Sequence, residues 1–280
     1  MISFFAKEPF SVLDSRDGKP YLKRISSIVR GKQIADYIGG KFNPKEGEGL
    51  GIHLKPLKMD RVKDGDYVDV LDDTAVHIKL GTLLGRVAKR PKVNVIAMTS
   101  AHKEWLERLL PNKIVHIPHQ HMNFERIRSE RHKQLTCGYI GTYVGRHEEL
   151  CNALETQLAR GGIKFVSLFT YPSREDIIKF YQSIDIQVIP MFGYLTNVPQ
   201  YHEKKIVDAM SFGIPTITEE KLGYRDVNGY YIKVNSMSEL VSEAVKLKDG
   251  WDAERLITKA EDYHISNIAE KYKALCNSQS

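Results

Sequence analysis

Cysteine is scarce in this 280-residue sequence: only Cys137, Cys151 and Cys276 occur, with no C-x-x-C pair. That argues against a disulfide framework and fits reduced thiols in a cytosolic compartment. No uninterrupted apolar run approaches the length that spans a bilayer. The opening MISFFAKEPF is too short an apolar stretch for a secretory leader, and Lys7 and Glu8 interrupt it. Internal repeats, low-complexity tracts and heptads are missing. The phosphate-loop pattern G-x-x-x-x-G-K-[ST] is missing too, since GTYVGR at 141–146 lacks its ending. There is no arginine-rich arm, no compact basic tract, and no aromatic-rich strand pattern of an RNA module.

What is present describes a globular chain. Apolar residues make up 42%, enough for a real core, and the length admits two domains. The formal net charge of +6 favours anionic partners such as nucleic acid, anionic lipid or phosphorylated substrates. The competing reading is a solvated basic surface, because the cations are spread along the chain.

Strands alternate with helices from residue 134 onward. QLTCGYIG (134–141) reads as a buried strand. A helix follows, with Leu150, Leu154 and Leu158 on one face and Gly161 and Gly162 at its end. Strands are expected at 163–169, 185–191, in IPTITE, and at 229–234. Ser173 followed by acids reads as a helix start, and KKIVDAMSFG as a helix stopped by Gly213. Helices are expected again in MSELVSEAVKL and from Trp251 to Cys276. The first half is also α/β: strands at ISFFA, 49–57, 66–73, 93–100 and 113–121, and helices at 28–38 and in AHKEWLERLL. The alternation implies parallel sheets flanked by helices. The domain boundary is expected in 123–134, giving units 1–125 and 126–280.

One stretch raises a chemical question. In YHEKKIVDAMSFGIPTITEE (201–220), Lys204 and Lys205 stand where a helix begins, the end that disfavours cations. Surface lysines there cost only tenths of a kcal/mol, so solvation is the plain explanation. The alternative is an anion bound at the helix N-terminus. The run from Lys205 to Ile217, K-I-V-D-A-M-S-F-G-I-P-T-I, resembles the donor-binding segment of GT-B glycosyltransferases of the group 1, GT4-like kind, roughly K-x-x-E-A-M-A-x-G-x-P-V-I. IVHIPHQHMNF (114–124), CGYIGTYVGR (137–146) and LGYRDVNGYYIKV (222–234) resemble three further segments of that family, in the family's order. Residues 1–100 match loosely.

The resemblance implies two Rossmann-like α/β domains facing across a cleft, the first reduced in size. It implies glycosyl transfer from a nucleoside-diphosphate sugar, without a metal or other cofactor. Lys205 would hold the diphosphate and Asp208 the ribose, with Gly141, Thr142, Arg146 and Gln200 around the donor. Gln200 stands eight residues before Asp208, where many retaining members carry an acid. An inverting enzyme needs a base in the first domain, for which His53, Asp72 and His77 are candidates. Asp72, His119 and His121 are expected at the cleft.

Other readings of these residues stand beside this one. His116, His119 and His121 could ligate a metal, but no cysteine or acid completes a set of known spacing. Asp72 and Asp73 could hold Mg²⁺, or simply solubilise a loop. The function could also be sugar-nucleotide epimerisation or hydrolysis on the same fold, or a nucleic-acid-directed activity. The acceptor is left open among a glycan, a lipid-linked sugar and nucleic acid. A cytoplasmic location, peripheral association with an anionic membrane face, and self-association complete the expectations.

Overall fold

The computed structural model describes residues 1–8, 10–13, 20–23, 25–71, 82–141, 145–169, 173–193, 197–199 and 201–277. They form two all-parallel sheets and one antiparallel hairpin. The first sheet contains β1 (Ile2–Phe5), β4 (Lys41–Phe42), β5 (Leu50–Leu54), β6 (Tyr67–Asp69), β7 (Asn94–Ala97) and β8 (Ile114–His116), in the order β4-β1-β5-β6-β7-β8. The second contains β9 (Thr136–Ile140), β10 (Lys164–Leu168), β11 (Ile186–Ile189), β12 (Thr216–Thr218) and β13 (Ile232–Lys233), in the order β10-β9-β11-β12-β13. The hairpin pairs β2 (Phe10–Leu13) with β3 (Pro20–Lys23).

Helices explain why the strands read as apolar runs. Every residue of β5 and of β11 is buried, as expected when both faces of a parallel sheet are covered. Ile25–Ile38 is one continuous helix, wound as π turns over Ser27–Lys32 and α-helical (α1) from Gln33. The first sheet also carries α2 (Leu83–Ala88) and α3 (Ser100–Glu107); the second carries α4 (Gly145–Arg160), α5 (Arg174–Gln182), α6 (Lys204–Ser211), α7 (Met237–Lys246) and α8 (Ala253–Ala260). Ser173 and Asp176 form a reciprocal capping box at the start of α5. Gly213, with φ 78°, turns the chain out of α6. No helix among the described residues is long and apolar enough to cross a membrane.

The last helix, α9 (Ile265–Asn277), crosses back to the first sheet. Ile265, Ile268, Tyr272 and Leu275 join the core formed by Ile2, Phe4, Ile34 and Ile52. A division at 125/126 falls in the strand-free connection between β8 and β9, but it assigns α9 to the second unit, whereas α9 covers the first. Several strands are shorter than expected: β8 keeps only Ile114–His116 of 113–121, and β7 only Asn94–Ala97 of 93–100. β6 stops at Asp69 because that carboxylate turns back to accept the Leu71 N–H at 3.1 Å, a local turn that ends the ladder. Of 229–234 only Ile232–Lys233 pair, and Leu222–Val227 before them wind as 3₁₀ turns.

Candidate active site

The loop after β11 leads into α6, whose first residues carry the two lysines. Lys205 reaches the C-terminal end of β9. Its Nζ lies 4.8 Å from the centroid of the Tyr139 ring, and a Cβ placed on Gly141 would come within 2.9 Å of that Nζ and 2.4 Å of the Tyr139 hydroxyl. A side chain at 141 would therefore push the Tyr139 hydroxyl and the ammonium aside. Desolvation pulls the Lys205 pKa down to about 8. Among the described residues no carboxylate pairs with it. The adjacent thiol of Cys151, pushed up to about 12 by burial, is neutral.

Asp208 does not share this site. Its carboxylate accepts two hydrogen bonds from Lys204 Nζ, both 2.9 Å, and one from the Met122 N–H at 2.9 Å. Lys204 Nζ also donates to the Gln120 carbonyl at 3.2 Å. Lys204 and Asp208 are four residues apart and stack on one helix face, while Lys205 is turned about 100° away. The expected partnership of Lys205 with Asp208 is thus replaced by a brace from α6 to the segment 117–124.

The remaining expected residues divide. Asp72, Asp73, His77, Thr142 and Gln200 lie outside the described residues, and so does the side chain of Arg146 at the start of α4. His53 is buried beneath Phe5, ring centroids 4.7 Å apart, with Nε2 held by Asp66 at 3.0 Å. Asp66 also accepts the N–H groups of Gly51 and Lys63. Burial raises the Asp66 pKa, and these hydrogen bonds outweigh that and hold it below the usual range. His119 is buried against His202, ring centroids 4.6 Å apart, and His121 against His264 at 5.4 Å. Burial keeps both neutral: His119 titrates well below the usual range, and His121 at about 3. Among the described residues no group of three His, Cys, Asp or Glu side chains is placed to hold a metal ion.

Sequence reasoning missed Glu203, the residue before α6. It is 1% exposed, and neither carboxyl oxygen has a partner among the described residues. Burial raises its pKa to about 8, so it is protonated at neutral pH. The charge of Arg30 acts on it from the first unit. Arg30 is itself fully buried; its Nε donates to Asp69 at 2.5 Å and its Nη2 to the Ile117 carbonyl at 3.0 Å. Glu219 and Lys221 were missed as well. Glu219 accepts the Gly193 N–H at 2.9 Å, and buried Lys221 donates to Glu219 at 2.5 Å and to the Met191 carbonyl at 2.9 Å. Together they pin the loop after β11. The signal available was an acid and a lysine directly following a strand.

Polar contacts join the two units at strand ends. The Thr99 hydroxyl, just after β7, donates to the Pro199 carbonyl at 2.7 Å and accepts the His102 N–H as the cap of α3. Asp226 accepts the Ser100 N–H at 2.8 Å and its hydroxyl as well. Arg225 forks onto Glu104 at 2.6 and 3.0 Å. Gly223 makes this docking possible: a Cβ there would lie 1.9 Å from the Tyr201 carbonyl oxygen.

No family model matches this sequence, and no curated protein matches it. Solved structures do match in shape. TarM superposes with a TM-score of 0.57 at 14% identity, over 95% of this chain and 63% of its own. HepE of Anabaena, in complex with UDP and glucose, gives 0.61 at 11% identity over 99% of both chains. AviGT4, a glycosyltransferase involved in avilamycin A biosynthesis, gives 0.56 at 10% identity over 99% and 97%. The chain spans just under two thirds of the length of TarM. The two facing parallel sheets, one of six strands and one of five, are the GT-B fold.

Proposed function

We propose that the chain transfers a glycosyl group from a nucleoside-diphosphate sugar to an acceptor hydroxyl. The observation that carries this reading is Lys205: a half-buried ammonium without a carboxylate partner among the described residues, beside a glycine at the C-terminal edge of a parallel sheet. Ligands of open parallel sheets bind at that edge, and a partly buried ammonium without a counter-charge favours an anion. The fold shared with HepE, whose structure holds UDP and glucose, supports a nucleotide sugar as that anion.

The chemistry follows from the parts. The acceptor oxygen bonds to the anomeric carbon while the bond from that carbon to the diphosphate oxygen breaks. The electron pair leaves with the diphosphate, and the acceptor proton passes to a base or to the departing phosphate. Lys205 and the N-terminal N–H groups of α6 stabilise the charge on the leaving group as it develops. With that charge met by protein groups, activity is expected to survive a chelator. Gly141 keeps the approach open. Asp208 braces α6 through Lys204 and the Met122 N–H, and His53 offers its second ring nitrogen as a base.

The test is a melting series with UDP, GDP, ADP and their sugar conjugates. A ligand at a hundred times its Kd adds about 2.7 kcal/mol of stability. Stabilisation by one nucleobase series, lost in Lys205→Ala, is the expected result. Absence of a shift with every nucleotide defeats the proposal.

A further inference from the structure

The cationic surplus belongs to one half of the chain. Residues 1–125 hold 21 Lys and Arg against 15 Asp and Glu, whereas residues 126–280 hold 20 of each, so the first half carries the whole net +6. The lysine assigned to the donor lies in the neutral half. The surplus therefore calls for a different anionic partner, on the first unit.

Within that unit, cations gather at the C-terminal edge of the sheet. A cavity of 380 Å³ opens beyond β5 and β6, with Lys7, Lys55, Arg86, Ser26 and Ser27 in its wall. A second cavity of 280 Å³ adjoins it, sharing Lys7, Lys55 and Leu57 and adding Lys58 and Arg61. Asp60 is the one acid among the described residues lining either. Arg86 frames the hollow through hydrogen bonds to the carbonyls of Leu57 and Pro56. Lys7, Lys58 and Arg61 are exposed at the rim.

The backbone marks the same place. Asn43, Lys55 and Leu71, which follow β4, β5 and β6, have φ of 47°, 43° and 51°. Left-handed backbone is uncommon for non-glycine residues, and such strain clusters at ligand clamps. Lys55 and Leu71 line the larger cavity, and Asn43 the smaller.

We propose that these joined cavities bind the acceptor, and that the acceptor is an anionic glycan bearing phosphate or carboxylate groups; this rests on the glycosyl-transfer reading above. Lys7, Lys58 and Arg61, exposed at the rim, receive the charged groups, while Leu57, 64% exposed at the lip, offers an apolar seat for the C–H face of a sugar. A nucleic acid fits less well. Phe5, the aromatic residue among the described lining, is already stacked on His53 and unavailable to a base.

The experiment titrates the whole chain with three oligosaccharides: a glucuronate-bearing one, a glycerol phosphate oligomer, and a neutral maltooligosaccharide. Each is measured at low and high salt, with UDP titrated in parallel. At least one anionic oligomer should bind tenfold or more tightly than the neutral one, and weaken as salt rises. The two anionic arms decide between phosphate and carboxylate. Lys7→Ala/Lys58→Ala should weaken that binding at least fivefold and leave UDP affinity and Tm unchanged. Lys92→Ala/Lys113→Ala, at the opposite edge of the same sheet, should leave it intact. Equal binding of the neutral oligomer, equal loss in both double variants, or no binding by any oligosaccharide overturns the proposal. Failure of UDP alone to bind counts against the donor reading, and the oligosaccharide arms report on the acceptor separately.

Discussion

Lys204 and Asp208 hold each other one helical turn apart, the ammonium 2.9 Å from both carboxylate oxygens, with 15% and 7% of their side chains exposed. This pair turns adjacent lysines into residues with different jobs. Removing Lys204 leaves a buried carboxylate with the Met122 N–H alone, so Lys204→Ala should cost about 3 kcal/mol in denaturant unfolding. Lys204→Met/Asp208→Asn should cost clearly less than the sum of its single changes, a coupling read from the mutant cycle. Additive losses would mean that the two side chains do not act as a pair.

Lys205 should behave in the opposite way. Removing a desolvated ammonium relieves a burial cost, so Lys205→Met should melt no lower than the wild type. Its kcat should fall and its KM rise, because the charge matters most as the diphosphate leaves. Wild-type kinetics in this variant would remove Lys205 from the reaction.

The depressed pKa of Lys205 gives that role a pH signature. The folded value is about 8, against 10.5 ordinarily. Between these values the unfolded chain binds the extra proton, so this group's contribution to stability rises with pH across that window. A diphosphate requires the protonated lysine, so UDP affinity should fall as pH rises through about 8. Calorimetry should find this fall in the wild type and not in Lys205→Arg, whose charge does not titrate there. An identical fall in both would place the titrating group elsewhere.

Glu203 produces a different profile. Its folded pKa is about 8, against 4.5 ordinarily. The folded state binds the extra proton between these values, so this group's contribution to stability is lost as pH rises from 4.5 towards 8. Glu203→Gln should match the wild type near pH 4.5 and unfold at higher denaturant at pH 8. A constant difference between the two proteins across the range would count against a buried, protonated Glu203.

Gly223 is the most sensitive small residue at the junction of the units. With a Cβ 1.9 Å from the Tyr201 carbonyl oxygen, Gly223→Ala must displace either the 3₁₀ segment that carries Arg225 and Asp226 or the chain entering α6. A loss of roughly 3 kcal/mol or more is expected, as for other overpacking changes with backbone shifts. A melting temperature within a degree of wild type would show that the junction is looser than described.

The sequence by itself determined the alternation of strand and helix, the helix stop at Gly213, the helix start at Ser173, and the special position of the lysines before α6. These are local: they follow from periodicity and from which residues can end a helix, and no distant partner is needed to read them. The tertiary structure decided the rest. Lys204 and not Lys205 meets Asp208, because a turn of 100° per residue separates neighbours that look equivalent in a row of letters. Glu203 is buried where the charge of Arg30, from the far end of the sequence, acts on it, and that proximity has no trace in local pattern. The Asp69 carboxylate that turns back onto Leu71 also holds Arg30, 39 residues away, and that second contact has no local signal. The last helix covers the first sheet because the apolar face of Ile265, Ile268 and Tyr272 finds its complement in Phe4 and Ile34. Helical periodicity shows that such a face exists, and only the folded chain shows what it is buried against.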